Sequence, residues 1–244
     1  MIVVDCCEQR NICLLDMLTS RDIDAMSLEE FARRDCKKDV ELVLGVGTNL
    51  TDKQISLIGK GSKVFYFVGN KSIDKIPTKK ICLMNMPSFV QANSYLTAEG
   101  ALGYIITHTD FSLLDAHVCV TGWGYLAKEC AKVLGKMSKN LTVMARSEKA
   151  RKQAVEWGYK SVDISDDMRE FDVIVNTIPA KIFSLPQLNR NVFIIELASK
   201  IYPFDYEELG RANVNYLIAK AVPSQLSSIS AARVLMDAII SYKE

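Results

Sequence analysis

Short apolar runs recur along the chain, each separated from the next by a stretch with helical spacing. IVVD at 2–5, VELVLGV at 40–46, KVFYFV at 63–68 and KICLM at 80–84 are rich in β-branched and aromatic residues. They lack the alternation of a strand with one wet face, which predicts strands covered on both faces. Between them, 9–19 and 28–34 read as helices, with an extended piece at 23–26. A further helix follows Thr51, which is its expected N-cap, with Asp52 in the first turn. From Pro87 to Thr107 the pattern changes to a long Ala-rich helix with Pro at its start. Asn93, Thr97 and Gly100 share one face of it. Gly100 and Gly103 each cost about 1 kcal/mol relative to Ala, which predicts close approach by a packed strand or a cofactor.

A second series follows the long helix. Strands are expected at 117–121, 141–145, 161–162, 171–179, 191–199 and 214–219. Helices are expected after residue 124, at 148–157 ending on Gly158, and at 227–242, where Ala231, Leu235, Ala238, Ile239 and Tyr242 share a face. This alternation predicts an α/β protein of two doubly wound parallel-sheet units. The expected organisation is an N-terminal unit at 1–86, a joining helix at 87–108, a second unit at 109–222 and a C-terminal helix at 223–244 that packs back on the body.

The residues with the most chemical content lie after the strand at 117–121. Gly122-Trp123-Gly124-Tyr125-Leu126-Ala127 fits G-x-G-x-x-G/A, with a strand before it and a helix and a further strand after it. Gly122 permits the bend, Gly124 lets a pyrophosphate approach the backbone, and the helix N-terminus supplies unpaired N–H donors. An NAD site normally carries an acid at the end of the second strand. Met144-Ala145-Arg146-Ser147 has none, so Arg146 and Ser147 favour a 2′-phosphate and NADP(H) over NAD(H). An exposed loop arginine is the alternative reading. Asn176, Thr177, Pro179, Glu196 and Ser199 fall at later strand ends, on the same edge. Asn176 and Thr177 are candidates to hold the carboxamide or the substrate, and Glu196 is the candidate acid/base. Each also has a structural reading, as a turn closer or an ion-pair partner. The glycines of Gly45-Val46-Gly47-Thr48-Asn49 read better as a turn than as an anion site.

Charge and composition narrow the partners. Of 244 residues, 49% are hydrophobic and 24% charged, with a formal net charge of +1, and the basic runs are short and interrupted by acids. No nucleic-acid footprint is expected. No apolar stretch of about 18 residues is present to span a membrane, and MIVVDCC is expected to be a first strand rather than a secretory leader. Seven cysteines without C-x-x-C, and two histidines, offer little for zinc, so no metal is expected. A reducing, cytoplasmic location and a homo-oligomer are the expectations.

Several separated segments together resemble the family of the dipicolinate synthase A subunit, with this chain as a divergent or shortened member. The family's N-x-x-x-T-A-E-G-A is similar to Asn93-Ser94-Tyr95-Leu96-Thr97-Ala98-Glu99-Gly100-Ala101. Its glycine turn and following A-R resemble Gly122–Ala127 and Ala145-Arg146. Its N-T-I-P resembles Asn176–Pro179, and its D-L-A-S resembles Glu196–Ser199. The resemblance implies a flavodoxin-like N-terminal domain and a Rossmann domain, with the active crevice between them. It also implies an NADP(H)-dependent enzyme that oxidises a cyclic lysine-pathway precursor to dipicolinate in spore formers, with a flavoprotein B subunit for its partner. Asn93, Thr97, Glu99 and Ser199 become candidates for substrate or inter-domain contact.

Two segments depart from the family. Its P-G-G is replaced by Lys200-Ile201-Tyr202-Pro203, and the lysine of its P-G-x-x-A-P-K-T-A-G by Ile229. A non-catalytic NADP(H)-binding or scaffold paralogue is therefore the alternative. A 2-hydroxyacid dehydrogenase fits poorly, because no histidine follows His117.

Overall fold

The computed structural model describes residues 1–199 and 203–242. The chain divides into two compact units, Met1–Asn93 with Pro223–Glu244, and Ser94–Val222.

The first unit begins with β1 (Ile2–Val4), α1 (Gln9–Thr19), β2 (Ala25–Ser27), α2 (Leu28–Arg33), β3 (Glu41–Val43), α3 (Asp52–Leu57), β4 (Lys63–Tyr66) and β5 (Lys79–Cys82). All strand pairs are parallel, in the order β2-β1-β3-β4-β5. This is the flavodoxin-like winding. The apolar runs carry both layers. Val3, Leu42 and Val64 enter one cluster with Leu28, Phe31 and Leu57, and their neighbours Val4, Val43 and Phe65 enter the other. Local capping agrees with the elements. Ser27 accepts from Glu30 N at the start of α2, and Thr51 and Gln54 form a capping box on α3.

The helix α4 (Pro87–His108) follows, and the division between units falls inside it. Phe89 packs in the core of the first unit, and Ala98, Ala101 and Ile105 in the core of the second. Gly103 does not show the predicted close approach, since a Cβ there would meet nothing within 4 Å. Gly100 is buried.

The second unit comprises β6 (His117–Thr121), α5 (Tyr125–Leu134), β7 (Asn140–Met144), α6 (Glu148–Glu156), β8 (Lys160–Val162), β9 (Val173–Asn176), β10 (Phe193–Glu196), α7 (Tyr206–Arg211) and β11 (Asn215–Ile218). Its parallel sheet runs β11-β10-β9-β6-β7-β8. Counted within the unit this is 3-2-1-4-5-6, the Rossmann order, with its topological switch between β6 and β9. Val118, Val120, Val173, Val175 and Ile195 fill one layer, while Cys119, Ile174 and Ile194 fill the other.

The chain ends with α8 (Val222–Leu226) and α9 (Ser228–Ile240). Ala232, Leu235, Ala238 and Ile239 of α9 enter the core of the first unit, and Tyr242 meets Phe65 edge-on at 5.6 Å. The sequence pattern locates the long elements. It overextends several strands, whose ladders are shorter than their apolar runs, and it omits α7 and α8. Asp205, which caps α7 through Glu207 N and Glu208 N, is the signal that marks α7.

Candidate functional site

The glycine turn sits at the switch point of the second unit. Gly122 has φ +90° and donates its N–H to Met144 O at 2.8 Å. A Cβ on it would lie 2.9 Å from Thr177 Oγ1 and 3.2 Å from Ile178 Cγ1, so both conformation and space require glycine. Gly124 is the N-cap of α5 and has no side-chain cap, and a Cβ there would meet nothing within 4 Å. The first amides of α5 thus lack a side-chain acceptor, beside open space that suits an anion. Ala127 is fully buried against the sheet cluster. Tyr125 is exposed and Leu126 half-buried. The Trp123 ring packs edge-on against Trp157 at 5.3 Å and Tyr159 at 6.2 Å, with the Lys128 ammonium 5.7 Å from it. Its Nε1 is buried without a hydrogen-bond partner among the described residues.

The neighbouring strand ends are tied together by register. β6 and β9 place Thr121 beside Asn176, and β9 and β10 place Asn176 beside Glu196. Thr121 Oγ1 donates to Asn176 Oδ1 at 2.6 Å, and Asn176 Nδ2 is shared between both Glu196 oxygens at 2.8 and 3.0 Å. Glu196 also accepts from Ala198 N at 2.6 Å and from Tyr206 Oη at 2.8 Å. Asn176 and Glu196 are both 0% exposed. Burial pushes the Glu196 carboxyl above its ordinary 4.5, while the bonds from Asn176, Tyr206 and Ala198 pull it down. A group so enclosed is a strut between strand ends. Thr177 is half-buried and donates to Thr121 O at 2.6 Å, so it closes the turn against Gly122. Pro179 and Ser199 are exposed.

The network makes a direct prediction. Tyr206→Phe removes one donor to a buried carboxylate and keeps the ring packing on Tyr216. It should lower the unfolding free energy by about 1.5–3 kcal/mol, measurable by urea denaturation. An unchanged midpoint would contradict the strut.

At the end of β7, Arg146 is exposed, and its side chain makes no hydrogen bond or ion pair among the described residues. Ser147 Oγ is the cap of α6 and accepts from Ala150 N at 3.4 Å. It therefore has a structural duty beside any ligand contact.

No protein-family model matches the chain. The dipicolinate synthase A subunit of Bacillus subtilis (strain 168) is 23% identical over 186 residues, covering 72% of this chain and 63% of that protein. The match therefore spans less than two thirds of the relative's length. The solved structure of the dipicolinate synthase A subunit from Bacillus halodurans aligns with a TM-score of 0.86 at 23% identity, covering 98% of this chain and 96% of that one. The solved counterpart from Bacillus subtilis aligns at 0.83 and 19% identity, covering 98% and 93%. The chain is thus similar in sequence to the dipicolinate synthase A subunit over most of its length. Both solved structures share its two-sheet α/β fold.

The remaining residues suggested by the dipicolinate synthase resemblance lie apart from the glycine turn in sequence. Asn93 is half-buried, Thr97 buried and Glu99 exposed, all on α4. Of the departures from the family, Lys200, Ile201 and Tyr202 lie outside the described residues. Pro203 O accepts from Ile182 N and Phe183 N, both at 3.1 Å. Ile229 is exposed in the first turn of α9.

The first unit also holds polar groups that the sequence reading missed. Arg10 is buried, pairs with Glu8, and lies 4.4 Å from the Phe67 ring, while its Nε has no hydrogen-bond partner among the described residues. Its backbone N–H donates to Ser224 Oγ at 3.2 Å, so α8 of the remodelled segment anchors here. Asn11 is fully buried and donates to Asp5 O at 2.7 Å. A charged residue inside the apolar stripe of α1 was the available signal. The nearby turn at 45–49 is not an anion site, because the Asp5 carboxylate accepts from Gly45 N at 3.1 Å and from the Thr48 hydroxyl.

Proposed function

We propose that this chain is an NADP(H)-dependent oxidoreductase of the dipicolinate synthase type, acting on a cyclic lysine-pathway precursor. The observation that carries the reading is the turn at 122–127: a required glycine at 122, open space at 124 and an uncapped helix N-terminus at a Rossmann switch point. The family relation supports the substrate class. The residues fit a dinucleotide. The α5 amides would hold the pyrophosphate over Gly124, and Arg146 with Ser147 would meet the 2′-phosphate. The nicotinamide, when bound, supplies the hydride acceptor. Thr177 and Pro179 would border its ring at the strand edge, and Asn176 and Glu196 would hold that edge in place from inside. Asn93, Thr97, Glu99 and Ser199 are the proposed substrate contacts. A homo-oligomeric assembly, a flavoprotein B subunit, a cytoplasmic location and a role in sporulation complete the proposal. Among the described residues no helix is long and apolar enough to cross a membrane.

A second reading is favoured by one specific observation, the exposed Ile229 where the family carries a lysine. A dicarboxylate would lose a cation there. On that reading the chain binds NADP(H) without turnover. The test is incubation with the precursor and NADP+, alone and with a flavoprotein B subunit. Dipicolinate formed in step with NADPH supports the enzyme. Nucleotide binding with no product under either condition supports the paralogue.

A further inference from the structure

A second cation lies beneath the loop that carries Arg146. Arg151, in the second turn of α6, donates from Nη1 to the carbonyl oxygens of Ala145 at 2.7 Å and Arg146 at 2.9 Å. The same nitrogen bonds to the Asp163 carboxylate, just after β8. Asp163 is fixed from its other side, accepting from Ser165 N at 3.1 Å and Ser165 Oγ at 2.9 Å. These bonds, with the Arg151 charge, hold its carboxyl below the usual carboxylate range. One guanidinium therefore ties the end of β7 to the end of β8. Arg151 is about one-quarter exposed, and its charge is committed to these partners.

This arrangement bears on which nucleotide the edge accepts. In a Rossmann unit the group on the ribose 2′ position lies at the end of the second strand. Carbonyl oxygens turned outward there would accept a hydrogen bond from a 2′-hydroxyl and repel a phosphate. An unpaired acid on the adjoining strand end would do the same. Arg151 occupies both, engaging the two carbonyls and neutralising Asp163, while the Arg146 side chain keeps no partner of its own among the described residues.

We propose that Arg151 is a specificity-determining positioning residue: by clamping the Ala145–Arg146 carbonyls and neutralising Asp163, it makes the strand edge select a 2′-phosphate over a 2′-hydroxyl. The inference rests on the dinucleotide reading above and deepens it. Arg151 acts through Arg146 and the loop, not by holding the phosphate itself.

The test is equilibrium titration of the full chain with NADPH and, separately, NADH. In Arg151→Gln, NADPH affinity should fall by about tenfold, because the freed carbonyls and the uncompensated Asp163 carboxylate then face the 2′-phosphate. NADH affinity should stay within about twofold. Arg151→Lys keeps the charge but not the planar fork, and should show a smaller loss, again selective for NADPH. Adding Asp163→Asn to Arg151→Gln should recover about threefold, because the uncompensated carboxylate is gone. Equal losses for both nucleotides would reveal a merely structural role and overturn the proposal, as would no NADPH loss in either arginine variant. Failure of the underlying reading looks different: the wild-type chain would bind neither nucleotide, or NADH as tightly as NADPH, and both proposals would fall.

Discussion

Gly122→Ala is expected to weaken NADPH binding by tenfold or more and to lower the unfolding free energy by roughly 2–4 kcal/mol. The residue sits at φ +90°, a conformation that L side chains rarely adopt, and its new methyl group would press on Thr177 Oγ1 and Ile178. Thr177 cannot withdraw easily, since its hydroxyl is bonded to Thr121 O. The strain falls on the turn that aims the α5 amides, so folding and binding should suffer together. Gly124→Ala separates the two effects. Its φ is −79° and its Cβ would enter open space, so stability should change by no more than about 1 kcal/mol. NADPH affinity should nevertheless fall, because the methyl group takes the space assigned to the pyrophosphate. Thermal melts paired with binding isotherms on both variants check this. A Gly124→Ala protein that binds NADPH like the wild type would show the pyrophosphate to be elsewhere.

Asn176→Ala is the second large effect, with an expected loss of about 3–5 kcal/mol. The amide supplies the donor shared by both Glu196 oxygens and the acceptor for Thr121 Oγ1 and Ile178 N. Its removal leaves a buried carboxylate short of donors. The pH dependence follows from the direction of the Glu196 shift. Because burial raises its pKa in the folded chain, the folded state binds more protons than the unfolded state between the ordinary 4.5 and the raised value. Stability contributed by this group is therefore lost as pH rises through that window. Losing Asn176 removes a bond that favours the ionised form, which extends the window upward. The destabilisation of Asn176→Ala should shrink at acid pH, and Glu196→Gln should flatten the profile across the window. Urea denaturation across pH measures both. A loss for Asn176→Ala that is independent of pH would contradict an ionised Glu196 at the centre of the network.

Much of the architecture was legible because parallel strands buried on both faces carry continuous apolar runs. Val118-Cys119-Val120 shows why, feeding alternate residues to opposite layers. The glycine turn was legible because backbone conformation and close packing leave glycine no substitute at 122. The bonding of Asn176 to Glu196 was not. Their polar character at strand ends was visible, but register sets whether they face a ligand or each other, and register is a property of three strands together. Arg10 was hidden for a similar reason, since a cation near a helix start reads as surface until Glu8, Phe67 and Ser224 enclose it. Arg151 and Asp163, on different elements, showed no spacing that marks a pair.

The central claim, a nicotinamide dinucleotide seated on residues 122–127, has a reporter built into the chain. Its two tryptophans, Trp123 and Trp157, form one edge-on pair at the turn itself. Titration with NADPH should quench their emission saturably, with energy transfer to the reduced nicotinamide, and Gly122→Ala should shift the curve to concentrations higher by about tenfold or more. Emission that stays unchanged through saturating NADPH, or an identical curve for Gly122→Ala, would contradict the assignment of this turn as the nucleotide site.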